Sequence, residues 1–453
     1  MLFSIDLLKK LFPHYDGANK CTQVDAIMVD SREQLEGSLF IPIVGDRFNA
    51  HNFIEGAIEN GAIATLWEEK YPVPAHLKDE CYFYYVEDTL VALQMLAKYY
   101  RDNVNPIVIG ITGSNGKTTT KDIIASLLET TYKTHKTAGN FNNDIGLPLT
   151  ILSMPNDTEA LVLEMGMNDF KEIDLLTRLA SPDYAIITNI GESHIEFLGS
   201  KAGIAQAKLE IVNGLKETGS LVIDGDEPLL HALELKQEII SCGFSETNQT
   251  SSTITNVEIN LDSTVFTVDG QTYHIPLTGA HHAKNATFAI VLAKKLGITE
   301  KKIREGLQTI QYSQMRFEKM MDKSGAILIN DAYNASPTSV IAAIDVIKTM
   351  KQYERKIVVL GDVFELGDRA REFHEQIGES ITKPIDVVYT LGHNAKYISD
   401  TVKRSNQHII SEHFENETSL IDHLQQYMSE NTIILFKASR GMSFEKLIDK
   451  VIT

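Results

Sequence analysis

Short apolar runs alternate along most of the chain with longer stretches in which apolar residues recur every three or four positions. The short runs predict buried strands, and the longer stretches predict amphipathic helices. From residue 107 onward the two kinds of segment follow each other regularly, which indicates a parallel sheet covered by helices on both faces. The strands predicted in this first series are Ile107–Thr112, Ala160–Glu164, Tyr184–Asn189 and Leu221–Asp224.

A second series of strand-and-helix units begins near Ala326. Its predicted strands are Ala326–Asn330, Lys356–Leu360, Asp386–Leu391 and Thr432–Phe436. Between the two series, residues 254–275 alternate apolar and polar positions around Asp269-Gly270, a typical hairpin turn. A small antiparallel element is therefore expected there. The residues before 101 mix short strand-like runs with helical stretches, and residues 1–10 read as a short amphipathic helix.

The length of 453 residues corresponds to about three domains. Two polar stretches, Arg101–Pro106 and Gln311–Arg316, are the expected boundaries. We predict an α/β protein with a small α/β N-terminal domain (1–104), a central parallel-sheet domain with the antiparallel element (105–313) and a C-terminal Rossmann-like domain (314–453).

Composition and charge exclude several classes of protein. Hydrophobic residues make up 43% of the chain and charged residues 23%, as in ordinary globular proteins. A net charge of -19 argues against nucleic-acid and anionic-membrane binding, because both need a basic face. The three cysteines form no CxxC pair, and no apolar run reaches the ~18 residues of a membrane helix. We expect a cytoplasmic protein without membrane insertion.

The strongest chemical signal is a glycine-rich turn between a strand and a helix. The apolar strand ends at Thr112, the turn reads Gly113-Ser114-Asn115-Gly116, and a helix begins at Lys117. Backbone N–H groups of such a P-loop and of the helix N-terminus form a phosphate site. Lys117 would reach the outer phosphates and the hydroxyl of Thr118 would bind magnesium. The alternative is an ordinary glycine turn.

Two further side chains follow predicted strands, where ligands bind in parallel sheets. Glu164 ends the second strand, beside the P-loop, and is either a metal ligand or an ordinary carboxylate. His194 follows the third strand and either binds a metal or is merely solvated.

Lys208 lies on the apolar stripe of a predicted helix, together with Ile204, Ile211, Val212 and Leu215. Its long stem could be buried with the charge reaching solvent. Alternatively, it is a buried amine with a lowered pKa. The spacing does not decide between them.

These features and several other segments together resemble the Mur ligase family, whose members build the peptide of bacterial cell-wall precursors. The resemblance covers essentially the whole chain. The matching segments are Asp30–Arg32, Gly45–His51, Ile111–Thr119, Thr137–Asn143, Leu163–Gly166, the segment of His194 and Lys208, Asn330–Pro337, Leu360–Gly367 and Lys437–Gly441.

Asp331–Pro337 and Gly361–Gly367 look like the D-alanyl-D-alanine-adding branch of the family. This resemblance implies an ATP-dependent ligase that joins D-alanyl-D-alanine to UDP-N-acetylmuramoyl-tripeptide through an acyl phosphate, in peptidoglycan biosynthesis. It also implies that the first domain binds the nucleotide sugar, the second ATP and the third the incoming dipeptide. We expect a monomer with no nucleic-acid partner.

The family resemblance also implies residue roles. Lys117, His194 and Lys208 would be catalytic. Two Mg²⁺ ions would be held by Thr118, Glu164, His194 and Lys208, with Lys208 carbamylated by carbon dioxide. The other expected contacts are Gly113, Ser114, Asn115, Gly116, Thr119, Asn285, Arg316 and Asp331 for ATP, and Ser31, Arg32, Asn140, Asn143, Tyr333 and Asn334 for the substrates.

Two other functions stay open. One is another ligase of the superfamily, either the Mur enzyme that adds the third residue or a folylpolyglutamate synthase. The Asp30–Arg32 segment disfavours a folate substrate, because it is typical of a nucleotide-sugar domain. The other is a P-loop regulatory ATPase, which would have no need of Glu164, His194 and Lys208 together.

Overall fold

Four β-sheets, most of whose strands run parallel, are covered by helices, as seen in a computed structural model. This architecture confirms the predicted α/β class. The structure describes residues 2–45, 48–231, 233–244, 250–260, 262–311 and 315–452. The predicted boundary between residues 313 and 314, and Asp46 and Arg47 of the Gly45–His51 segment, lie outside the described residues.

The N-terminal unit carries a small mixed sheet and three α-helices. Its strand order is β2-β7-β6-β5-β4, parallel except for β2. The elements are β1 (Phe3–Ser4), α1 (Ile5–Leu11), β2 (Tyr15–Gly17), β3 (Gln23–Val24), β4 (Ala26–Met28), β5 (Ser38–Phe40), α2 (Ile54–Glu59), β6 (Ala62–Glu68), β7 (Tyr82–Val86) and α3 (Thr89–Val104).

The first helix begins later than predicted from the pattern. Phe3 and Ser4 form a short strand that pairs with Val24 and Gln23. Helix α1 then starts at Ile5, because the Ser4 hydroxyl accepts a hydrogen bond from the N–H of Leu7 and caps the helix.

The central unit is built on nine strands in the order β16-β15-β14-β13-β12-β11-β8-β10-β9. The elements are β8 (Ile107–Thr112), α4 (Lys117–Glu129), β9 (Thr134–Lys136), α5 (Gly146–Ser153), β10 (Ala160–Glu164), α6 (Glu172–Ala180), β11 (Tyr184–Ile187), α7 (Ile195–Leu198), α8 (Lys201–Leu209), β12 (Ser220–Asp224), β13 (Glu238–Gly243), β14 (Ser252–Ile259), β15 (Thr264–Val268), β16 (Gln271–Ile275), α9 (Ala280–Lys295) and α10 (Glu300–Gln308).

The antiparallel element has three strands where the pattern predicted a hairpin of two. Strands β15 and β16 form the predicted hairpin, and its turn residues Asp269 and Gly270 both have positive φ. Strand β14 adds to β15 on one side and runs parallel to β13 on the other. The antiparallel strands thus continue the main sheet.

The C-terminal unit has the strand order β17-β18-β22-β19-β20-β21, parallel except for β17. The elements are β17 (Glu318–Met321), β18 (Ile327–Asn330), α11 (Pro337–Thr349), β19 (Arg355–Gly361), α12 (Ala370–Ser380), β20 (Val387–Leu391), α13 (Lys396–Ser405), β21 (Ile410–Phe414), α14 (Glu417–Gln425), β22 (Thr432–Lys437) and α15 (Phe444–Ile452).

The predicted strands that position the site agree with the structure, with one exception. Strands β8 and β10 have the predicted bounds, but β11 ends at Ile187, two residues early. Thr188 and Asn189 leave the sheet because their side chains bond to the backbone of Asn115 at 2.6 and 2.8 Å.

Strands β11, β8 and β10 are neighbours in the sheet, so the segments that follow them meet at one edge. No helix in the described part of the chain is both long and apolar enough to cross a bilayer.

Candidate functional site

The P-loop turn requires glycine at Gly113. This residue has φ +151°, and a Cβ there would lie 1.8 Å from Oγ1 of Thr188. Gly116 has φ +79° and would place a Cβ 2.9 Å from Oδ1 of Asn285. The glycines therefore let the loop approach both β11 and α9, at the start of helix α4.

A cavity of ≈ 640 Å³ lies between the central and C-terminal units, at the ends of β8, β10 and β11. It brings together most of the residues that the sequence singled out. These are Ser114, Asn115, Gly116, Lys117, Thr118, Thr119, Asn140, Asn143, Glu164, His194, Lys208, Asn285, Arg316, Asp331, Tyr333 and Asn334.

Three of the predicted site residues do not line this cavity. Gly113 lies beneath the loop, where its carbonyl accepts a hydrogen bond from Lys117. Ser31 and Arg32 lie in the loop after β4 of the N-terminal unit. The side chain of Arg32 is 87% exposed and pairs with Asp30 at 2.6 Å, so this loop presents a separate, open surface.

Lys117 is held inside the site by the loop that precedes it. Its Nζ donates a hydrogen bond to the carbonyl of Gly113 at 2.8 Å. Burial lowers the pKa of Lys117; the carboxylate of Glu164 opposes this and the charge of Arg316 adds to it. A bound polyanion would relieve the repulsion between the two cations.

Glu164 presents one carboxylate oxygen that has no partner. The residue is 3% exposed, and its Oε1 accepts a hydrogen bond from Nδ2 of Asn142 at 2.9 Å. Its Oε2 is buried without a hydrogen bond in the described part of the chain. An uncompensated buried carboxylate oxygen is costly, so this position suits a cation.

Lys208 is buried to the end of its side chain. It lies on α8, is 1% exposed and lines the cavity. The snorkelling alternative is therefore wrong. Burial, with a contribution from the charge of Lys117, lowers the pKa of Lys208 well below its ordinary value. A neutral, nucleophilic amine is the form that this environment favours.

His194 is placed by backbone geometry as well as by its partner. It has φ +65° and lies directly before α7. Its Nδ1 lies 2.6 Å from Oε2 of Glu365, which comes from the C-terminal unit. The side chain is 19% exposed, so His194 is not a merely solvated residue.

The C-terminal unit contributes a cluster of charged and aromatic groups. Nη2 of Arg316 donates to the hydroxyl of Thr118 at 2.8 Å, and its guanidinium lies 4.3 Å from the ring centre of Tyr333. Lys437, which is 3% exposed, donates to Oδ2 of Asp331 at 2.6 Å. The cavity thus receives cations from both units.

The start of α9 carries two adjacent histidines, of which His281 is exposed and His282 is buried. Burial lowers the pKa of His282 well below its ordinary value. The ring of His282 is therefore neutral at pH 7, and neither of its nitrogens has a hydrogen-bond partner in the described residues. Asn285, one turn later, lies against the P-loop at Gly116.

Sequence reasoning missed several residues of the site. Asn142, Glu365 and Lys437 stand in the segments that carry the resemblance, but nothing in the pattern shows which side chains they contact. Thr188 and Asn189 were predicted as strand. Lys284, with Nζ 2.6 Å from Oδ1 of Asp224, also lines the cavity and could be found only from the structure.

A metal ion would need ligands beyond carboxylates and imidazoles here. No group of three or more His, Cys, Asp or Glu side chains in the described residues forms a ready-made metal site. Glu164, His194 and the hydroxyl of Thr118 are among the donors that line this cavity. Phosphate oxygens of a nucleotide would have to complete their coordination, as is usual for Mg²⁺.

Comparison with known proteins gives consistent matches over nearly the full length. Residues 111–293 match the Mur ligase middle domain, and residues 315–440 match the family described as Mur ligase, glutamate ligase domain. The chain is 44% identical to the UDP-N-acetylmuramoyl-tripeptide--D-alanyl-D-alanine ligase of Bacillus subtilis, over 95% of this chain and 94% of the relative.

Two solved structures show the same fold at 29% identity. A crystal structure of MurF from Acinetobacter baumannii has a TM-score of 0.89 and covers 99% of this chain and 98% of its own. MurF ligase from Thermotoga maritima in complex with ADP has a TM-score of 0.83 and covers 94% of this chain and 97% of its own.

Proposed function

The chain belongs to the Mur ligase family, and on that premise we propose that it adds D-alanyl-D-alanine to UDP-N-acetylmuramoyl-tripeptide in peptidoglycan biosynthesis. It is an ATP-dependent ligase that releases ADP and phosphate. The observation that carries this proposal is the cavity that joins the P-loop of one unit to Arg316, Asp331 and Tyr333 of the next.

In the first step, the terminal carboxylate of the tripeptide attacks the γ-phosphorus of ATP. The bond from that phosphorus to the β,γ-bridging oxygen breaks, ADP leaves and an acyl phosphate forms. Negative charge accumulates on phosphate oxygens during this transfer. Lys117 of the central unit and Arg316 of the C-terminal unit both line the cavity and would stabilise this charge.

In the second step, the amine of D-alanyl-D-alanine attacks the acyl carbonyl. The C–N bond forms, the amine loses a proton, and the tetrahedral intermediate expels phosphate. Water would hydrolyse the acyl phosphate, so the reaction needs an enclosed site. The hydrogen bond from Ser336 to Asn115 Oδ1, at 3.0 Å, supports closure of the third unit over the P-loop.

The donor set fits Mg²⁺ because Glu164 offers a buried carboxylate oxygen that has no hydrogen-bond partner in the part of the chain that the structure describes. Glu164, His194 and the hydroxyl of Thr118 would hold the metal. When bound, Mg²⁺ would neutralise phosphate charge and make the γ-phosphorus more susceptible to attack. By analogy with the family, we propose that these three residues take part in binding two Mg²⁺ ions.

The environment of Lys208 supports carbamylation of its amine. Its burial favours the neutral amine, which is the form that adds to carbon dioxide; an N–C bond forms and a proton leaves. The product is a carbamate anion at the end of the lysine side chain. It would place a carboxylate-like group that supports magnesium where a protonated Lys208 would repel Lys117.

The substrates are assigned to separate surfaces. Ser31 and Arg32 on the N-terminal unit would face the uridine diphosphate, where an exposed guanidinium is available for phosphate. Asn140 and Asn143 would contact the tripeptide beside Glu164, and Tyr333 and Asn334 the incoming dipeptide. We infer a monomer that acts in the cytoplasm, where ATP is available.

The test is phosphate release measured with a matrix of substrates. We expect release that depends on both UDP-N-acetylmuramoyl-tripeptide and D-alanyl-D-alanine, with lysine- and diaminopimelate-containing tripeptides compared in parallel. Release with the dipeptide nucleotide and a free diamino acid, or with folate and glutamate, would identify one of the other ligases. ATP hydrolysis indifferent to all of them would identify a regulatory ATPase.

A further inference from the structure

Glu365 reaches from the C-terminal unit to a residue of the central unit that lines the cavity. Its Oε2 lies 2.6 Å from Nδ1 of His194. Nδ1 of His194 and this carboxylate are therefore in contact without an aligned hydrogen bond, since Nδ1 has none among the described residues. Catalytic contacts are often poorly aligned until substrate completes the site.

The loop that carries Glu365 is anchored by the two residues that precede it. The N–H of Val363 donates to Nε2 of His374 at 3.1 Å, and that of Phe364 donates to Oγ of Ser439 at 2.9 Å. Glu365 itself adopts φ +63°, a conformation costing about 1 kcal/mol or more for a residue with a side chain. The backbone that carries Glu365 is therefore held in place by its own unit.

The backbones of the two partners are also joined. The N–H of Glu196 donates to the carbonyl of Glu365 at 3.2 Å. A Cβ on Gly367 would lie 3.4 Å from the side chain of Glu196, so the two segments are in close contact. The pairing of Glu365 with His194 is thus part of a continuous contact and not an isolated surface ion pair.

A carboxylate beside one ring nitrogen has a known effect on a ligating histidine. It fixes the tautomer and the ring orientation and makes the other nitrogen a better ligand. Here Nδ1 faces Glu365, so Nε2 is the nitrogen left for a ligand in the cavity. Because Glu365 belongs to the C-terminal unit, this orientation would exist only when the two units are in contact.

We propose that Glu365 is a positioning residue that orients His194 for magnesium and makes the metal site depend on closure of the C-terminal unit. The inference rests on the proposed function for its metal. Glu365 does not line the cavity, and it acts on the reaction only through His194.

The test measures Mn²⁺ binding, by electron paramagnetic resonance, in the presence of a non-hydrolysable ATP analogue. Glu365→Ala is expected to weaken the affinity for Mn²⁺ about 10-fold. Glu365→Gln, which keeps an oxygen acceptor in the same place, is expected to recover most of that loss. If the alanine variant does not fold, Glu365→Lys, which places a cation beside Nδ1 of His194, is expected to weaken the affinity for Mn²⁺ at least about 10-fold, and an unchanged affinity would overturn the assignment.

The matched control is Asp262→Asn. Asp262 lies in the central unit and pairs with Lys319 of the C-terminal unit at 3.1 Å, and neither residue lines the cavity. This variant removes an ion pair between the same two units and should leave Mn²⁺ affinity unchanged. Equal weakening in Asp262→Asn and Glu365→Ala, or no weakening in Glu365→Ala, would overturn the assignment.

Catalytic measurements separate this inference from the proposed function. We expect Glu365→Ala to lower kcat about 10-fold or more with little change in the KM for ATP. If the unmodified protein releases no phosphate with the two substrates, the proposed function fails. The binding experiment would still decide whether Glu365 controls the metal site.

Discussion

The guanidinium of Arg316 donates a hydrogen bond to the hydroxyl of Thr118 over 2.8 Å, although the two residues are 198 positions apart. Thr118 opens the helix after the P-loop, whereas Arg316 begins the C-terminal unit. A cation from one unit thus lies at the phosphate site of another. This relationship makes the proposed chemistry depend on the contact between the units.

Arg316→Ala should lower kcat about 100-fold, since it removes a cation placed where phosphate charge develops. Steady-state phosphate release checks this. Arg178→Ala is the control, because Arg178 is 60% exposed and forms only a surface pair with Asp174. If both variants keep full kcat, Arg316 has no role in the reaction.

Lys208→Ala should lower turnover at least about 100-fold, because the carboxylate-like group at the metal site is lost. Short carboxylates such as formate or acetate, added to this variant, should restore part of the activity. Lys208→Arg, which keeps a cation and cannot form the carbamate, should stay inactive. Undiminished turnover in Lys208→Ala would show that the reaction does not need a carbamate on Lys208.

Gly113→Ala should abolish nucleotide binding and lower the free energy of unfolding by roughly 3 kcal/mol or more, since the new methyl group would overlap Thr188. Gly270→Ala is the matched control. Gly270 also has positive φ, but no atom lies within 4 Å of a Cβ there, so only about 1 kcal/mol of backbone strain is expected. Thermal unfolding and binding of a fluorescent ATP analogue measure both effects. A normally folded Gly113→Ala variant that still binds ATP would contradict the geometry of the loop.

The N-terminal unit should lose stability in acid because of His51. This residue is 3% exposed, and burial lowers its pKa to about 4 from an ordinary value of 6.5. Between these pH values His51 is protonated in the unfolded chain and neutral in the folded chain. The free energy of unfolding therefore falls as the pH drops from 6.5 toward 4.

Replacing His51 by Gln should remove up to about 2 kcal/mol of that pH dependence, although the variant can be less stable at pH 7. Denaturant unfolding followed at several pH values measures the slope. His408→Gln, at an exposed position, is the control and should leave the slope unchanged. An unchanged slope in the His51 variant would show that another group causes the acid sensitivity.

The features that could be predicted from the sequence are those that depend on residues close together along the chain. The strand, turn and helix around Lys117 follow from the apolar run and the glycines, and Glu164 and Lys208 were recognisable from their positions on a strand end and on an apolar stripe. The structure then decided between the two readings of Lys208, because only packing shows where the stem of a lysine ends.

Contacts between distant segments could not be predicted in the same way. The pairing of His194 with Glu365, and of Arg316 with Thr118, depends on how the two units meet. The early end of β11 has a similar cause, since the side chains of Thr188 and Asn189 bond to the backbone of Asn115 in the P-loop. The strand propensity of a residue does not show that its side chain will bond to a loop that is distant in the sequence.

The most direct test of the ligase reaction follows the oxygen atoms of the acceptor carboxylate. UDP-N-acetylmuramoyl-tripeptide with a heavy-oxygen label in its terminal carboxylate is incubated with ATP and D-alanyl-D-alanine, and the products are analysed by mass spectrometry. The account predicts one labelled oxygen in the released phosphate and a pentapeptide product. Unlabelled phosphate, or phosphate formed without the pentapeptide, would contradict it.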